Sequence, residues 1–189
     1  MTTKERKTKE TDIKLTLSID GNGNHNIDSG IGFLDHMLET LSKHSGIDLD
    51  LKCKGDIHID YHHTVEDIGI VLGLALYDEI FPIKNVERFS NAVAILDEAA
   101  VECDLDLGGR PYLVYELPID GAIKDFDMEL FEEFFKSLIF NSKIACHLVL
   151  KRGRNKHHII ESAFKSFAVA LRRALAYRND EIPSTKGVL

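Results

Sequence analysis

The sequence predicts an α/β (α+β) chain built from a duplicated half-domain. Each half carries β-strands plus two helices, and the two sheets pack with the helices between them about a pseudo-twofold axis. Three observations lead there. His62-His63-Thr64-Val65-Glu66 recurs as His157-His158-Ile159-Ile160-Glu161, 95 residues later and about half the chain away. Both copies run into apolar positions at helical spacing. Both are preceded by the same series, a helix and then an alternating strand.

The elements follow in order. Ile13, Leu15, Leu17 and Ile19 alternate with polar residues and predict a strand closed by Gly21-Asn22-Gly23. Phe33-Leu34-Asp35-His36-Met37-Leu38 opens a helix that ends near Ser45-Gly46. A strand spans Ile47 to Lys54, and the first HHxxE helix follows. In the second half, strands at Ala92 to Glu98 and Val101 to Leu107 lead to the turn Gly108-Gly109-Arg110-Pro111 and a strand at Tyr112 to Leu117. A helix from Leu130 to about Ser142, a strand at Ile144 to Leu150 and the second HHxxE helix complete it. His147 lies within that last strand, among Ala145, Cys146, Leu148 and Val149, and is expected to pack in the core. No Pro/Ser-rich linker intervenes. The expectation is one domain over 1–189 with repeats at about 10–88 and 89–182, jointed near Pro82 to Ser90, and a C-terminal tail at 183–189.

Composition excludes several classes. With 44% hydrophobic and 29% charged residues, the 189-residue chain is neither disordered nor fibrous. No apolar run approaches the roughly 20 residues that span a bilayer, and Met1 to Glu10 lacks the apolar core of a signal peptide. Three widely spaced cysteines fit a reducing cytoplasm. The net charge of −8 opposes general nucleic-acid binding. Residues 151–189 nevertheless carry nine basic and three acidic side chains, which on charge alone reads first as a solvated helix face and second as a local anion site on an acidic chain.

The chemistry sits in the HHxxE pairs. Residues i and i+4 share a helix face, so His62 points with Glu66 and His157 with Glu161. His63 and His158 lie about 100° further round and cannot easily chelate the same ion as their neighbours. They can serve a second ion, so duplication implies two metal sites, each drawing on both repeats. Imidazole plus carboxylate without thiolate suits Mn, Fe, Co, Ni or Zn. His36 is a further candidate ligand, and the helix–strand–HHxxE alignment sets Glu133 at its matching position, 24 residues before His157 where His36 stands 26 before His62. Arg110, in a Gly-containing turn, is a candidate phosphate contact, and Lys165, two helical turns beyond His157, can reach a ligand held by that helix. Pro183-Ser184-Thr185-Lys186-Gly187 has the make-up of an anion cradle.

These residues, with Glu10-Thr11-Asp12-Ile13, Gly32 to Leu38, Asp60 to Asp67, Glu87-Arg88-Phe89, Gly109-Arg110-Pro111, His157 to Lys165 and Pro183 to Gly187, resemble the imidazoleglycerol-phosphate dehydratase family over nearly the whole chain. The resemblance implies two Mn2+ ions per active site. It implies ligands at His36, His62, His63, Glu66, His157, His158 and Glu161. The eighth ligand position, commonly His, is Glu133 here. It further implies substrate contacts at Glu10, Arg88, Arg110, Lys165, Ser184, Thr185 and Lys186, and a homo-oligomer of 24 subunits with sites at subunit interfaces.

The implied reaction converts D-erythro-imidazole-glycerol phosphate to imidazole-acetol phosphate in histidine biosynthesis. No carbonyl stabilises a carbanion, so the ring must do so, as a metal-stabilised imidazolate that expels hydroxyl through a diazafulvene-like intermediate. A carboxylate bound to Mn is a poor base, so Glu10, on a terminal segment expected to be mobile, is the first choice of proton shuttle, with Glu66 and Glu161 as alternatives. Two other readings compete. A two-metal phosphatase or amidohydrolase would release inorganic phosphate or an acid. A non-catalytic metal-storage or assembly protein would have no use for the convergent cations Arg88, Arg110, Lys165 and Lys186.

Overall fold

In a computed structural model, which describes residues 1–83, 85–178 and 183–185, the first half folds as β1 (Thr2–Lys7), β2 (Thr11–Ser18), β3 (His25–Asp28), α1 (Gly32–Ser45), β4 (Asp48–Gly55) and α2 (His62–Ile80). The second half comprises β5 (Phe89–Leu96), β6 (Ala99–Asp106), β7 (Tyr112–Glu116), the short pair β8 (Ala122–Ile123) and β9 (Phe126–Asp127), α3 (Leu130–Ser142), β10 (Ala145–Arg152) and α4 (Lys156–Ala174). The strands form two four-stranded sheets ordered β1-β2-β4-β3 and β5-β6-β10-β7. Each is mixed: β3 runs parallel to β4 and β7 parallel to β10, with the remaining pairs antiparallel.

The alternation in β2 has its expected cause. Ile13, Leu15 and Leu17 face the core at 1% exposure or less, register with Cys53, Leu51 and Leu49 of β4, and send Asp12 and Lys14 outward. The helices lie between the sheets. α2 is apolar nearly all round because it packs on its own sheet and on α3. Gly69 and Gly73 make the second contact: a Cβ would stand 2.8 Å from the Phe134 carbonyl oxygen at one and 2.6 Å from that of Leu138 at the other. The two helices thus touch backbone to backbone and run parallel, bringing their first turns to the same end. Phe126, Phe131, Phe134, Phe135, Phe164 and Phe167 fill the centre, with ring centroids as close as 4.7 Å.

Three features depart from the sequence reading. Residues 2–7 are not a loose leader: they form the edge strand β1, paired along its length with β2. After the Gly21–Gly23 turn the chain forms β3, a strand that the sequence reading did not assign, which pairs with β4 and not with β2. His147 is exposed on the outer face of β10, near the Tyr112 ring at 6.5 Å, because alternation turns Cys146 and Leu148 inward and leaves His147 outside. Among the described residues no helix is long and apolar enough to cross a membrane.

Candidate metal and substrate site

Both HHxxE sequences begin their helices. In α4 the N-cap Asn155 accepts the backbone N–H groups of His157 (3.0 Å) and His158 (3.4 Å). In α2, Asp60 accepts that of His62 at 2.8 Å. One face of α4 meets α1 at its open end. There His157 Nε2 lies 3.1 Å and His36 Nε2 3.5 Å from Glu161 Oε2, and one donor atom from each residue falls within 4.8 Å of the others. Three neutral-N and carboxylate-O donors at that spacing fit a borderline divalent cation, manganese included. Burial acts to raise the Glu161 carboxyl, but Lys165 at 2.6 Å, His157 and His36 outweigh it and hold it below the ordinary range.

The other repeat is more open. His62 Nε2 stands 3.9 Å from Glu66 Oε2, while Glu133 on α3 faces Lys136 at 3.5 Å. Among the described residues, the only such donor cluster is His36, His157 and Glu161. A cleft of about 410 Å³ adjoins His62, bordered by Tyr61, whose hydroxyl donates to Asp125 at 2.5 Å.

The second histidine of each motif points elsewhere, and each is bracketed by two carboxylates that sequence spacing did not reveal. His63 Nδ1 lies 3.0 Å from Asp56, and its Nε2 lies 3.8 Å from Glu10. His158 Nδ1 lies 2.7 Å from Glu98, and its Nε2 lies 4.0 Å from Asp97. An Nδ1–H donated to a carboxylate fixes the tautomer and leaves Nε2 as the outward lone pair, the arrangement a metal-binding imidazole uses. The Asp56 bond raises the His63 pKa, while His158, then the Asn155 N–H, hold Glu98 down at about 2. The β1–β2 and β5–β6 turns occupy matching places here, one carrying Glu10 and the other Asp97-Glu98.

The expected phosphate contacts gather elsewhere. Arg88 is 11% exposed and forks onto Asp106 (2.7 and 3.2 Å), while a third N–H donates to the Pro183 carbonyl at 2.9 Å. Its guanidinium is therefore committed to holding the chain at Pro183, beside the half-buried Ser184 and exposed Thr185. Arg110 is exposed in the nearby β6–β7 turn. Lys165 alone approaches the donor cluster, through Glu161. Lys186 lies outside the described residues. The Arg88 backbone N–H bonds to Ala174, at the C-terminus of the helix whose N-terminus carries His157. Seventeen residues of helix put these groups about 25 Å apart.

Known proteins resemble the chain in sequence and in fold. The chain is 69% identical to the imidazoleglycerol-phosphate dehydratase of Nautilia profundicola over all of both chains. It is 62% identical to that of Aliarcobacter butzleri over 97% of each. The crystal structure of the Pyrococcus furiosus enzyme in complex with (S)-C348 superimposes with a TM-score of 0.86 at 35% identity, over 98% of this chain and all of that one. The Staphylococcus aureus enzyme gives 0.83 at 36% identity, over 93% and 98%. Residues 29–171 match the sequence profile of the family described as Imidazoleglycerol-phosphate dehydratase, and the chain belongs to that family.

Proposed function

We propose that this hydro-lyase of histidine biosynthesis removes water from D-erythro-imidazole-glycerol phosphate to give imidazole-acetol phosphate, with two Mn2+ ions per active site. The observation that carries the reading is the cluster of His36, His157 and Glu161, whose donor atoms fall within 4.8 Å of one another on a chain of this family. His62, Glu66 and Glu133 supply the corresponding set from the other repeat. His63 and His158, aimed outward by Asp56 and Glu98, complete sites on neighbouring subunits. When bound, the two ions supply positive charge to the substrate's ring, which lets the ring carry electron density while the adjacent hydroxyl departs.

The chain's own residues do the remainder. Glu10 takes the proton from the side-chain carbon. Its carboxylate is half exposed, with His63 at 3.8 Å, so it is free to accept a proton in a way that a metal-bound carboxylate is not. Lys165, Arg110, Lys186 and the hydroxyls of Ser184 and Thr185 hold the phosphate. Arg88 fixes the backbone from which that last segment departs.

The separation of about 25 Å along α4 also supports assembly. A three-carbon phosphate ester cannot reach both ends of one chain, so the phosphate cradle of one subunit serves the metal cluster of another. We infer a homo-oligomer, of 24 subunits as the family resemblance implies, located in the cytoplasm where three free thiols persist. The test is product identity. Mn-loaded protein given the substrate should form a ketone and no inorganic phosphate, whereas phosphate release would favour a two-metal phosphatase.

A further inference from the structure

The β1–β2 turn that carries Glu10 is tied to the first HHxxE helix by one buried carboxylate. Asp67 directly follows Glu66 on α2 and is 6% exposed. One of its oxygens accepts from Arg6 Nε at 2.9 Å and the other from Thr11 Oγ1 at 2.5 Å. Arg6 is on β1 and Thr11 on β2, so the two contacts flank the turn on either side. The turn itself closes on Thr8: its hydroxyl accepts the backbone N–H groups of Glu10 (3.0 Å) and Thr11 (2.9 Å). Further along, β1 is held to α2 at alternate positions, by Lys4 on Asp78 at 2.6 Å and by Thr2 and the N-terminal ammonium on Glu79 at 2.6 and 2.9 Å. Those distal contacts lie three or more helical turns from the donor residues. Among the described residues, Asp67 is the side chain of α2 that hydrogen-bonds to these strands at the end where Glu10 meets His63.

We propose that Asp67 is a positioning residue for Glu10: it locks the β1–β2 turn onto α2 and thereby sets the distance from the Glu10 carboxylate to the face bearing His63 and Glu66. The inference rests on the reading of Glu10 as the proton acceptor. A general base works only within hydrogen-bond reach of its proton, and small misplacements of such groups cost rate steeply. A charge-assisted pair to Arg6 and a hydroxyl bond to Thr11, both made by one rigid helical side chain, would hold that reach more firmly than the strand ladder alone. The arrangement also holds to α2 a strand that has no apolar residue after Met1.

The experiment is a double-mutant cycle on the Mn-loaded enzyme, with hydrogen exchange as a second readout. Asp67→Ala should lower kcat about tenfold or more while KM changes less than about threefold, and metal content and particle size should stay at wild-type values. In a Glu10→Gln background the same substitution should lower kcat less than about twofold, since the group it positions is already gone. Amides of residues 8–12 should exchange faster in Asp67→Ala, with residues 68–80 unchanged. Thr11→Val should reproduce the loss and Thr11→Ser should restore the rate, which keeps the test valid if Asp67→Ala does not fold. Losses that multiply in the double variant, or an unchanged kcat with the turn visibly loosened, overturn the proposal. A Glu10→Gln enzyme with wild-type kcat defeats the Glu10 reading instead, and the exchange data then decide separately whether Asp67 holds the turn.

Discussion

Lys165 Nζ lies 2.6 Å from Glu161 Oε1, one helical turn away, while the other oxygen of the same carboxylate faces His157 and His36. Glu161 thus divides its oxygens between the metal-type cluster and the cation expected to meet the phosphate. The pair is only 21% and 14% exposed, so each charge is needed where it stands. Lys165→Met should raise KM by roughly 10- to 100-fold, the equivalent of about 1.5–3 kcal/mol for one charge-assisted contact. Metal content by elemental analysis should not fall, because the remaining donors are untouched. Loss of metal together with substrate affinity would assign Lys165 to the metal site alone.

Removal of metal should disassemble the particle. His63 and His158 have Nδ1 engaged by Asp56 and Glu98, which leaves Nε2 to bind, and on the proposed reading the ions they hold are shared with donors from another chain. Thorough chelation followed by light scattering should show a large fall in mass with loss of activity, both restored by Mn2+. A particle indifferent to chelation in both respects counts against metal-linked assembly.

Glu10→Gln should keep the oligomer and its metal while kcat drops by at least roughly 100-fold, the usual contribution of a general base. Steady-state kinetics with a parallel metal assay decide it. Near wild-type turnover in the fully loaded variant would return the proton to Glu66 or Glu161.

Arg88 and Arg110 should separate cleanly despite their proximity. Arg110 is exposed and free to meet an anion, so Arg110→Ala should raise KM with little change in melting temperature. Arg88 is buried against Asp106, and Arg88→Ala leaves that carboxylate unpaired and the Pro183 carbonyl unbonded. A stability loss of about 2–4 kcal/mol in denaturant melts is expected, with activity falling only through the loosened tail.

Acid should act on the loop after β2. The Asp48 carboxylate accepts the backbone N–H groups of Asn22 and Asn24, each at 2.8 Å, and these hold its pKa below the ordinary 3.8. A depressed folded-state pKa gives stability that is full above the unfolded value and is lost as pH falls through the folded one. Asp48→Asn should therefore melt lower than wild type at pH 6, with the gap closing below about pH 4. A gap that is constant with pH would mean that the charge plays no part.

What the sequence determined by itself was local. The two HHxxE repeats, the alternation of Ile13, Leu15 and Leu17, and the helix opening at Phe33 are periodic over a few residues, and periodicity alone assigns them a face. The pairing of His157 with Glu161 follows from one turn of helix. The tertiary structure decided whatever depends on residues far apart in the chain. Asp56 and Glu98 reach His63 and His158 from a strand end and a hairpin turn, with no spacing in common. Arg88, which reads as a free cation, is claimed by Asp106. Residues 2–7 have no apolar pattern; the backbone ladder with β2 makes a strand of them, and the acidic residues Asp67, Asp78 and Glu79, more than 60 positions later, hold that strand to α2. Backbone periodicity is a property of neighbours in sequence, whereas desolvated charge pairs are set by whichever surfaces the core brings together.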